Sequence, residues 1–489
     1  MKTSPWTNSR ARRPWVVGLQ NRFAGRTVGL CLMGWIATSN PGMAQPAIVC
    51  SHDPALANPP SSPPPDVCGG SGTTDRDFYT LSWQLFKFLI WPSAARRGIP
   101  DAAKKITDTG PRTFETFKAD WEIFQPDASK PDEWNVYPSV AEPCGKLPNI
   151  KPGELVLASF HKFSNLKEGK PDMSHLLVAQ NQTYVRYQAA YNKKIFDTIV
   201  NKGLYNPDTV GSIPEPATND PVPADAIEPD GSMTVKSAWI ELPTHGPKHI
   251  DASRFYVRED AWVQEPELQT CRRATVGLVG LHIVYKTESR PVWIWSTFEH
   301  VDNVPEEGRG SANSYTFHNG DLSQGMTPDP ESAYKIPRSP NTNGPGEPPR
   351  PYQVERLQKI DPKVLAANDR WQTELRTLDS VWQYYKLVMT QWPRFSSAQV
   401  GALDSGPFPF CGGRNSFATV NTTMETFLQT QERCIQRATC MGCHDIARKT
   451  DFVFSIVFNS KKPREMRSPD PRDYAIKALK DLLETKQSR

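Results

Sequence analysis

Hydrophobic residues recur along the chain in patterns that change from helical to strand-like and back. The densest apolar run, residues 78–91, predicts a buried helix ending before Pro92, because proline cannot continue a helix. Residues 114–124 fit a second, shorter helix. Short apolar segments separated by turn residues then predict strands at 154–160, 233–241, 254–259, 274–286 and 292–301.

The segments 274–286 and 292–301 form the clearest predicted hairpin. Residues 277–285 are apolar on both faces, which is typical of a central strand that is covered on both sides. Trp293 and Trp295 should lie beside this strand in its partner. We therefore expect the hairpin to form the centre of a β-rich core.

Helical periodicity returns after a segment rich in proline and glycine at 308–351, which we interpret as a loop or linker. From Trp371 to Trp392 large apolar residues recur every three or four positions, which predicts an amphipathic helix stopped by Pro393. Shorter helices are predicted at 422–435 and 474–483. The C-terminal part is therefore expected to be mostly helical.

The N-terminus has the pattern of a secretory signal peptide. Residues 1–44 contain six basic and no acidic residues, an apolar stretch at 28–37 and a small-residue cleavage site ending at Ala44. An uncleaved membrane anchor is the alternative, but the stretch is about half of the ~20 residues that a span requires. Removing six of the 57 basic residues leaves 51 against 53 acidic ones, a net charge of −2.

Charge and motifs exclude several classes of function. The mature charge is near neutral and no dense basic patch occurs, so no nucleic-acid partner is expected. The sequence has no Walker loop, no dinucleotide-binding glycine motif, no His-Glu-x-x-His and no nucleophile elbow. It also has no transmembrane span after the signal. Together with the signal peptide, these absences leave an exported protein of unassigned chemistry as the expectation.

Cysteine usage agrees with an oxidising compartment. Of the nine cysteines, Cys31 lies in the signal and two belong to the motif described below, which leaves an even number. Pairing of neighbours would join Cys50 to Cys68 and Cys411 to Cys434, and would leave Cys144 to pair with Cys271 across distant segments. Six cysteines allow fifteen connectivities, so this pairing is a hypothesis.

The run Cys440-Met441-Gly442-Cys443-His444 carries the most specific chemistry in the sequence. Two thiols at this spacing can add across the two vinyl groups of haem, and the adjacent histidine becomes the proximal iron ligand. A zinc site or a redox disulfide is the alternative, but no second Cys/His pair occurs at finger-like spacing. Cys440, Cys443 and His444 are therefore the predicted ligands of one covalent haem c.

The sixth iron ligand has two candidates. Met466 lies 22 residues beyond His444, in the order found in small class I cytochromes. His300 ends an aromatic strand and could face the haem from the larger domain; the alternative is a buried histidine bonded to a backbone carbonyl or to Asp302. His282 is open to the same two interpretations.

Five parts of the chain carry a shared resemblance, namely residues 81–86, Trp91-Pro92, 280–286, 295–303 and 440–444. Together they resemble a family of exported, single-haem cytochrome c family proteins of Gram-negative bacteria. The resemblance spans most of the mature chain and implies a periplasmic location and haem binding, without a substrate.

These observations predict an α+β fold, with a β-rich main domain and flanking helices followed by a small, mostly α-helical, cytochrome c-like haem-binding region. The expected divisions are a signal peptide at 1–44, a proline-rich arm at 45–75, a mixed α+β domain at 76–307, a loop or linker at 308–351, a helical segment at 352–404 and a haem c-binding region at 405–489.

Two functions agree with this organisation. The first is electron transfer to a redox partner protein, with the β-rich domain as the docking platform. The alternative is a haem-dependent oxidoreductase of the peroxidase, oxygenase or dehydrogenase type, whose large domain holds a small-molecule substrate. A scaffold in which haem acts as a sensor or structural element is a third reading.

Overall fold

The computed structural model describes residues 52–68, 74–138, 140–141, 144, 147–148, 150–151, 153–159, 177–216, 228–243, 250–264, 270–306, 315–320, 351, 353–356, 358–392, 420–426, 440 and 444–459. The helices within these residues are α1 Asp75–Ile90, α2 Asp120–Ile123, α3 Lys193–Asn201, α4 Pro207–Ser212, α5 Pro362–Thr377 and α6 Phe454–Asn459. The strands are β1 Lys118–Ala119, β2 Val140–Ala141, β3 Leu147–Pro148, β4 Val156–Leu157, β5 Arg186–Tyr191, β6 Met233–Glu241, β7 Val257–Gln264, β8 Cys271–Thr287, β9 Arg290–His300 and β10 Tyr385–Gln391.

One eight-stranded sheet contains all of these strands except β2 and β3, which pair with each other. Its order is β1-β5-β6-β8-β7-β4, and β9 and β10 extend it from β8. Only the short β4–β7 pair among the described strands is parallel. Helices cover this sheet, so the α+β expectation is confirmed.

Strand β8 is the centre of the sheet, as the hydrophobic pattern predicts. Strand β6 pairs along one edge, while β7 and β9 share the other edge along the first and second halves of β8. A bulge at Val279 interrupts the β6 register, because Ala238 pairs with Gly280 and Trp239 with Leu278. The bulge reverses the alternation of side chains, so Val276 and Leu278 before it pack in the same core cluster as Leu281 and Ile283 after it.

The first face of the β8–β9 hairpin packs against α1 and α5. Trp83 of α1 stacks on Trp371 of α5 at 5.4 Å between ring centroids, and Phe86 stacks on Phe298 of β9 at 4.2 Å. Helix α1 begins beside Thr74, whose amide donates to the Asp77 carboxylate at 2.7 Å, and it ends before Pro92. The predicted first helix is therefore confirmed.

The second face of the hairpin is covered by α3 and by C-terminal residues. Val284, Trp293 and Trp295 share one buried cluster with residues 452, 453 and 456. Further along β8, the turn at 421–423 crosses Gly280 so closely that a Cβ at this position would overlap the Thr423 hydroxyl. Gly280 is thus required by this close approach.

The helix predicted through Trp392 is wrong in its second half. Helix α5 ends at Thr377, Asp379 adopts a left-handed conformation with φ 51°, and the chain continues as a 3₁₀ turn and then as β10 on the edge of β9. Every residue of β10 is buried, so its apolar side chains have no period that distinguishes a strand from a helix. Residues 114–124 likewise divide into a 3₁₀ helix, β1 and α2.

One predicted disulfide is confirmed. Cys144 is bonded to Cys271 at the start of β8, with 5.0 Å between the Cα atoms across a sequence separation of 127. Cys68 is also disulfide-bonded. Cys50, the predicted partner of Cys68, lies outside the described residues, and so does the predicted pair of Cys411 and Cys434.

No helix in the described ranges combines the length and the hydrophobicity that crossing a membrane requires.

A buried ionic network holds residues 420–426 against the sheet. Glu299 of β9 is fully buried, forms an ion pair with Arg356, and accepts hydrogen bonds from the amide and hydroxyl of Thr422 at 3.0 and 2.9 Å. Burial acts to raise the pKa of Glu299, but Arg356, Lys386 and the Thr422 amide hold it below its usual value. Glu299 is therefore ionised in the folded protein.

Replacing Arg356 by methionine should lower the free energy of unfolding by about 3–5 kcal/mol, because Glu299 would lose its main buried partner. Chemical denaturation measures this change. Lys193→Met is the matched control: Lys193 and Asp197 are both exposed on α3, and the loss of their ion pair should cost less than about 1 kcal/mol. Equal effects of the two substitutions would contradict the assignment.

Candidate functional site

The C-terminal Cys-x-x-Cys-His motif begins against the edge of the sheet. The half-buried Cys440 packs between the two main core clusters, and its amide donates to the side-chain oxygen of Gln391, the last residue of β10, at 2.8 Å. Residues 441–443, which include Cys443, lie outside the described part, as does Met466. Strand β10 thus positions the start of the motif.

The His444 ring is held between two aromatic side chains. His444 is half-buried and precedes a 3₁₀ helix, Asp445–Thr450. Its ring meets the edge of Trp295 from β9 at 4.3 Å between centroids, and Phe454 from α6 at 4.2 Å. Both contacts restrict the orientation of the imidazole plane.

A hydrogen bond defines the protonation of the His444 ring. Its Nδ1 lies 2.8 Å from the backbone oxygen of Phe452. Because a carbonyl oxygen can only accept, Nδ1 carries a proton, and in the neutral imidazole Nε2 carries the lone pair. Histidines that bind metals through Nε2 characteristically donate their other ring N–H to such an acceptor, which fixes the tautomer and raises the basicity of the ligand.

The Phe452 carbonyl belongs to an unusual turn. Asp451 and Phe452 are consecutive non-glycine residues in the left-handed region, with φ of 50° and 64°. Their amides donate to the carbonyl oxygens of Arg448 and Ala447 at 3.1 and 2.9 Å. The turn therefore folds back over the preceding 3₁₀ helix and directs the Phe452 carbonyl towards His444.

Three groups from outside the turn bond to Asp451. Lys286 of β8 donates to its carboxylate at 2.6 Å, and the backbone amide of Glu228 donates to the same oxygen at 2.8 Å. The indole N–H of Trp293 on β9 donates to the Asp451 carbonyl oxygen at 2.7 Å. All four residues are buried.

The charges of this cluster balance when Glu228 is protonated. Burial, together with the nearby Asp451, raises the pKa of Glu228 to about 8, while Thr198, Lys286 and Lys202 oppose the shift. Burial also raises the pKa of Asp451, and the ion pair with Lys286 lowers it part of the way back. At neutral pH Glu228 therefore holds its proton, and the Asp451 carboxyl group lies 2.6 Å from the Lys286 ammonium.

The residues around His444 fit a covalent haem. Cys440 supplies a thiol, His444 supplies an Nε2 lone pair, and the aromatic neighbours supply an apolar wall. The indole N–H of Trp295 is buried and has no hydrogen-bond partner among the described residues. A haem carboxylate is a suitable acceptor for such a donor. No group of three His, Cys, Asp or Glu side chains in the described residues could hold a metal ion.

His300 lies in a different part of the sheet, five residues along β9 from Trp295, or about 16 Å. It is fully buried and stacks on Phe255 at 3.9 Å. Its Nε2 donates to the Arg254 carbonyl at 2.9 Å, and its Nδ1 accepts from the Asp302 amide at 3.2 Å. His300 therefore matches the alternative interpretation, a buried histidine bonded to a backbone carbonyl, and both of its ring nitrogens form hydrogen bonds. His282 pairs with Glu425 at 2.6 Å.

Sequence patterns did not reveal Asp451, Lys286 or Trp293 as part of the site. Asp451 is separated from Lys286 by 165 positions, and no motif connects them. The one available signal is a lysine at the end of a strand that is otherwise apolar, because a buried lysine requires a partner.

Comparisons with family models, with curated proteins and with solved structures each found no match to this chain.

His444 and His300 should be opposite tautomers. In protein prepared without haem, His444 should carry its proton on Nδ1 and His300 on Nε2, because each donates to a backbone carbonyl through that nitrogen. Two-bond proton–nitrogen correlation spectra of histidine-labelled protein distinguish the tautomers, and His444→Gln and His300→Gln assign the signals. A His444 ring protonated on Nε2 would contradict the site geometry.

Stability should depend on pH through His300. Burial lowers the pKa of His300 to about 4 from 6.5. The unfolded state therefore binds more protons than the folded state between these values, so the free energy of unfolding is highest above pH 6.5 and falls towards pH 4. In the His300→Gln protein, the free energy of unfolding should decline by about 3 kcal/mol less over this pH range than in the wild-type protein. Denaturation curves at several pH values measure it, and a decline identical to that of the wild-type protein would refute the assignment.

Proposed function

We propose that the chain is an exported c-type cytochrome that carries one covalent haem and transfers electrons in the periplasm. The observation that carries this proposal is the hydrogen bond from His444 Nδ1 to the Phe452 carbonyl, because metal-binding histidines that coordinate through Nε2 characteristically donate Nδ1–H to such an acceptor. The motif supplies the two thiols at the spacing of haem c. The resemblance to exported, single-haem cytochromes adds the periplasmic location.

Each motif residue has a defined role in this proposal. Cys440 and Cys443 would hold the haem through thioether bonds, and His444 would be the proximal ligand. Met466 is the proposed sixth ligand, and residues 405–489 would form a small, cytochrome c-like haem-binding region. When bound, the haem supplies a one-electron redox couple.

The residues of the chain would keep the proximal side rigid. The Phe452 carbonyl holds the His444 tautomer, while Trp295 and Phe454 fix the ring between them. A ligand that keeps its geometry suits electron transfer, because the hydrogen bonds to the ligand and its burial tune the reduction potential of the iron. The partner would be a periplasmic redox protein, with the β-rich domain as its docking platform.

Haem attachment tests the proposal directly. The full chain is produced in a bacterial host that attaches haem to exported cytochromes, and haem is extracted with acidified organic solvent. We expect the periplasmic protein to retain its haem and to give the pyridine haemochrome spectrum of two thioether bonds. Replacing both Cys440 and Cys443 by alanine should abolish covalent retention.

Cys271→Ser is the matched control, because it removes a cysteine that lies outside the motif and is bonded to Cys144. This variant should keep covalent haem. An unchanged spectrum in the Cys440→Ala/Cys443→Ala protein would overturn the attachment, and so would wild-type protein that never acquires haem.

Carbon monoxide separates electron transfer from the oxidoreductase alternative. The reduced protein should show no spectral change with the gas, because a sixth protein ligand such as Met466 would occupy the position. Binding of carbon monoxide would reject the electron-transfer assignment in favour of an enzyme with an open position.

A further inference from the structure

We propose that Asp451 is a positioning residue through which the β-sheet, by way of Lys286 and Trp293, sets the orientation and basicity of His444. This inference rests on the proposed function of His444 as a haem ligand. It assigns a role to the large domain, namely that two of its central strands support the proximal side of the site.

The first step is the connection from the sheet to the turn. Lys286 lies near the end of β8 and Trp293 lies on the adjacent strand β9, with the lysine ammonium 5.5 Å from the indole ring. Lys286 bonds to the Asp451 side chain and Trp293 bonds to the Asp451 main chain. Asp451 is thereby held at both its carboxylate and its carbonyl.

The second step is the connection from the turn to the imidazole. A left-handed conformation is unfavourable for a residue with a Cβ, and Asp451 and Phe452 both adopt it. Such a conformation persists where the surroundings over-determine it. The three bonds to Asp451 supply this restraint, and the next carbonyl in the chain is the one that accepts the His444 proton.

The third step is the chemical consequence. A fixed acceptor on Nδ1 excludes the other tautomer and makes Nε2 a stronger electron donor. Loosening the turn would weaken this hydrogen bond without touching the histidine or the cysteines. Asp451 therefore acts on His444 through the Phe452 carbonyl and not by direct contact with a bound group.

Four substitutions test this role. Asp451→Ala removes the carboxylate, and Lys286→Met removes its sheet partner. Asp451→Asn is the conservative variant, because asparagine tolerates the left-handed region and keeps a side-chain acceptor. Lys193→Met is the matched charge control, since Lys193 is exposed and pairs with Asp197 on the surface of α3.

The first measurement is the tautomer of His444 in protein without haem. We expect Asp451→Ala to raise the population of the Nε2-protonated form by about fivefold, the effect of one net hydrogen bond, and Lys286→Met to raise it by less. Asp451→Asn and Lys193→Met should match the wild-type protein. Near-ultraviolet circular dichroism verifies that each variant is folded.

The second measurement is the midpoint reduction potential of the haem-loaded protein. Asp451→Ala and Lys286→Met should raise it, because a less basic imidazole stabilises the oxidised iron less, while Asp451→Asn should restore the wild-type value. A general loss of stability would not produce this order of potentials.

Folded Asp451→Ala and Lys286→Met proteins that keep the wild-type tautomer population would overturn the role of Asp451. If the alanine variant does not fold, Lys286→Met decides the question alone. If the wild-type chain never acquires haem, the proposed function fails, but the tautomer series still decides whether Asp451 positions His444.

Discussion

Pairing of strand β8 along both edges, with burial on both faces, is the constraint on which the remaining structure depends. Its 17 residues contact β6 on one side and both β7 and β9 on the other. The bulge at Val279 sends Leu281, Ile283 and Tyr285 to the helical face. Val284 and Lys286 consequently face the C-terminal segment. Two unlike environments, one aromatic and one containing the site, are thus built on a single strand.

Sequence patterns predicted those elements whose signals are local. The hairpin of β8 and β9 and the end of α1 before Pro92 follow from runs of apolar residues and from proline chemistry. The prediction that α5 continues as a helix to Trp392 is wrong. Strand β10 is buried on both faces, and it forms because β9 offers a free edge. No local pattern can show that such an edge exists.

The candidate site divides in the same way. Cys440, Cys443 and His444 are recognisable because their chemistry requires a fixed spacing. Their supports come from residues far away in the chain: Gln391 bonds to Cys440 across 49 positions, and Trp293 bonds to Asp451 across 158. Neither contact follows a periodicity, and only the folded sheet brings these groups together. The candidate ligands can therefore be predicted from the sequence, whereas the residues that support them cannot.

The packing of residues 452–456 on the second face of the hairpin also has a consequence for biosynthesis. Val284, Trp293 and Trp295 lack part of their apolar cover until this segment, which lies far downstream of the hairpin in the chain, has been made. Contacts of such long sequence separation form slowly, because a large loop must close first. The segment that carries the cysteine motif can therefore dock only after the hairpin that it covers has been made.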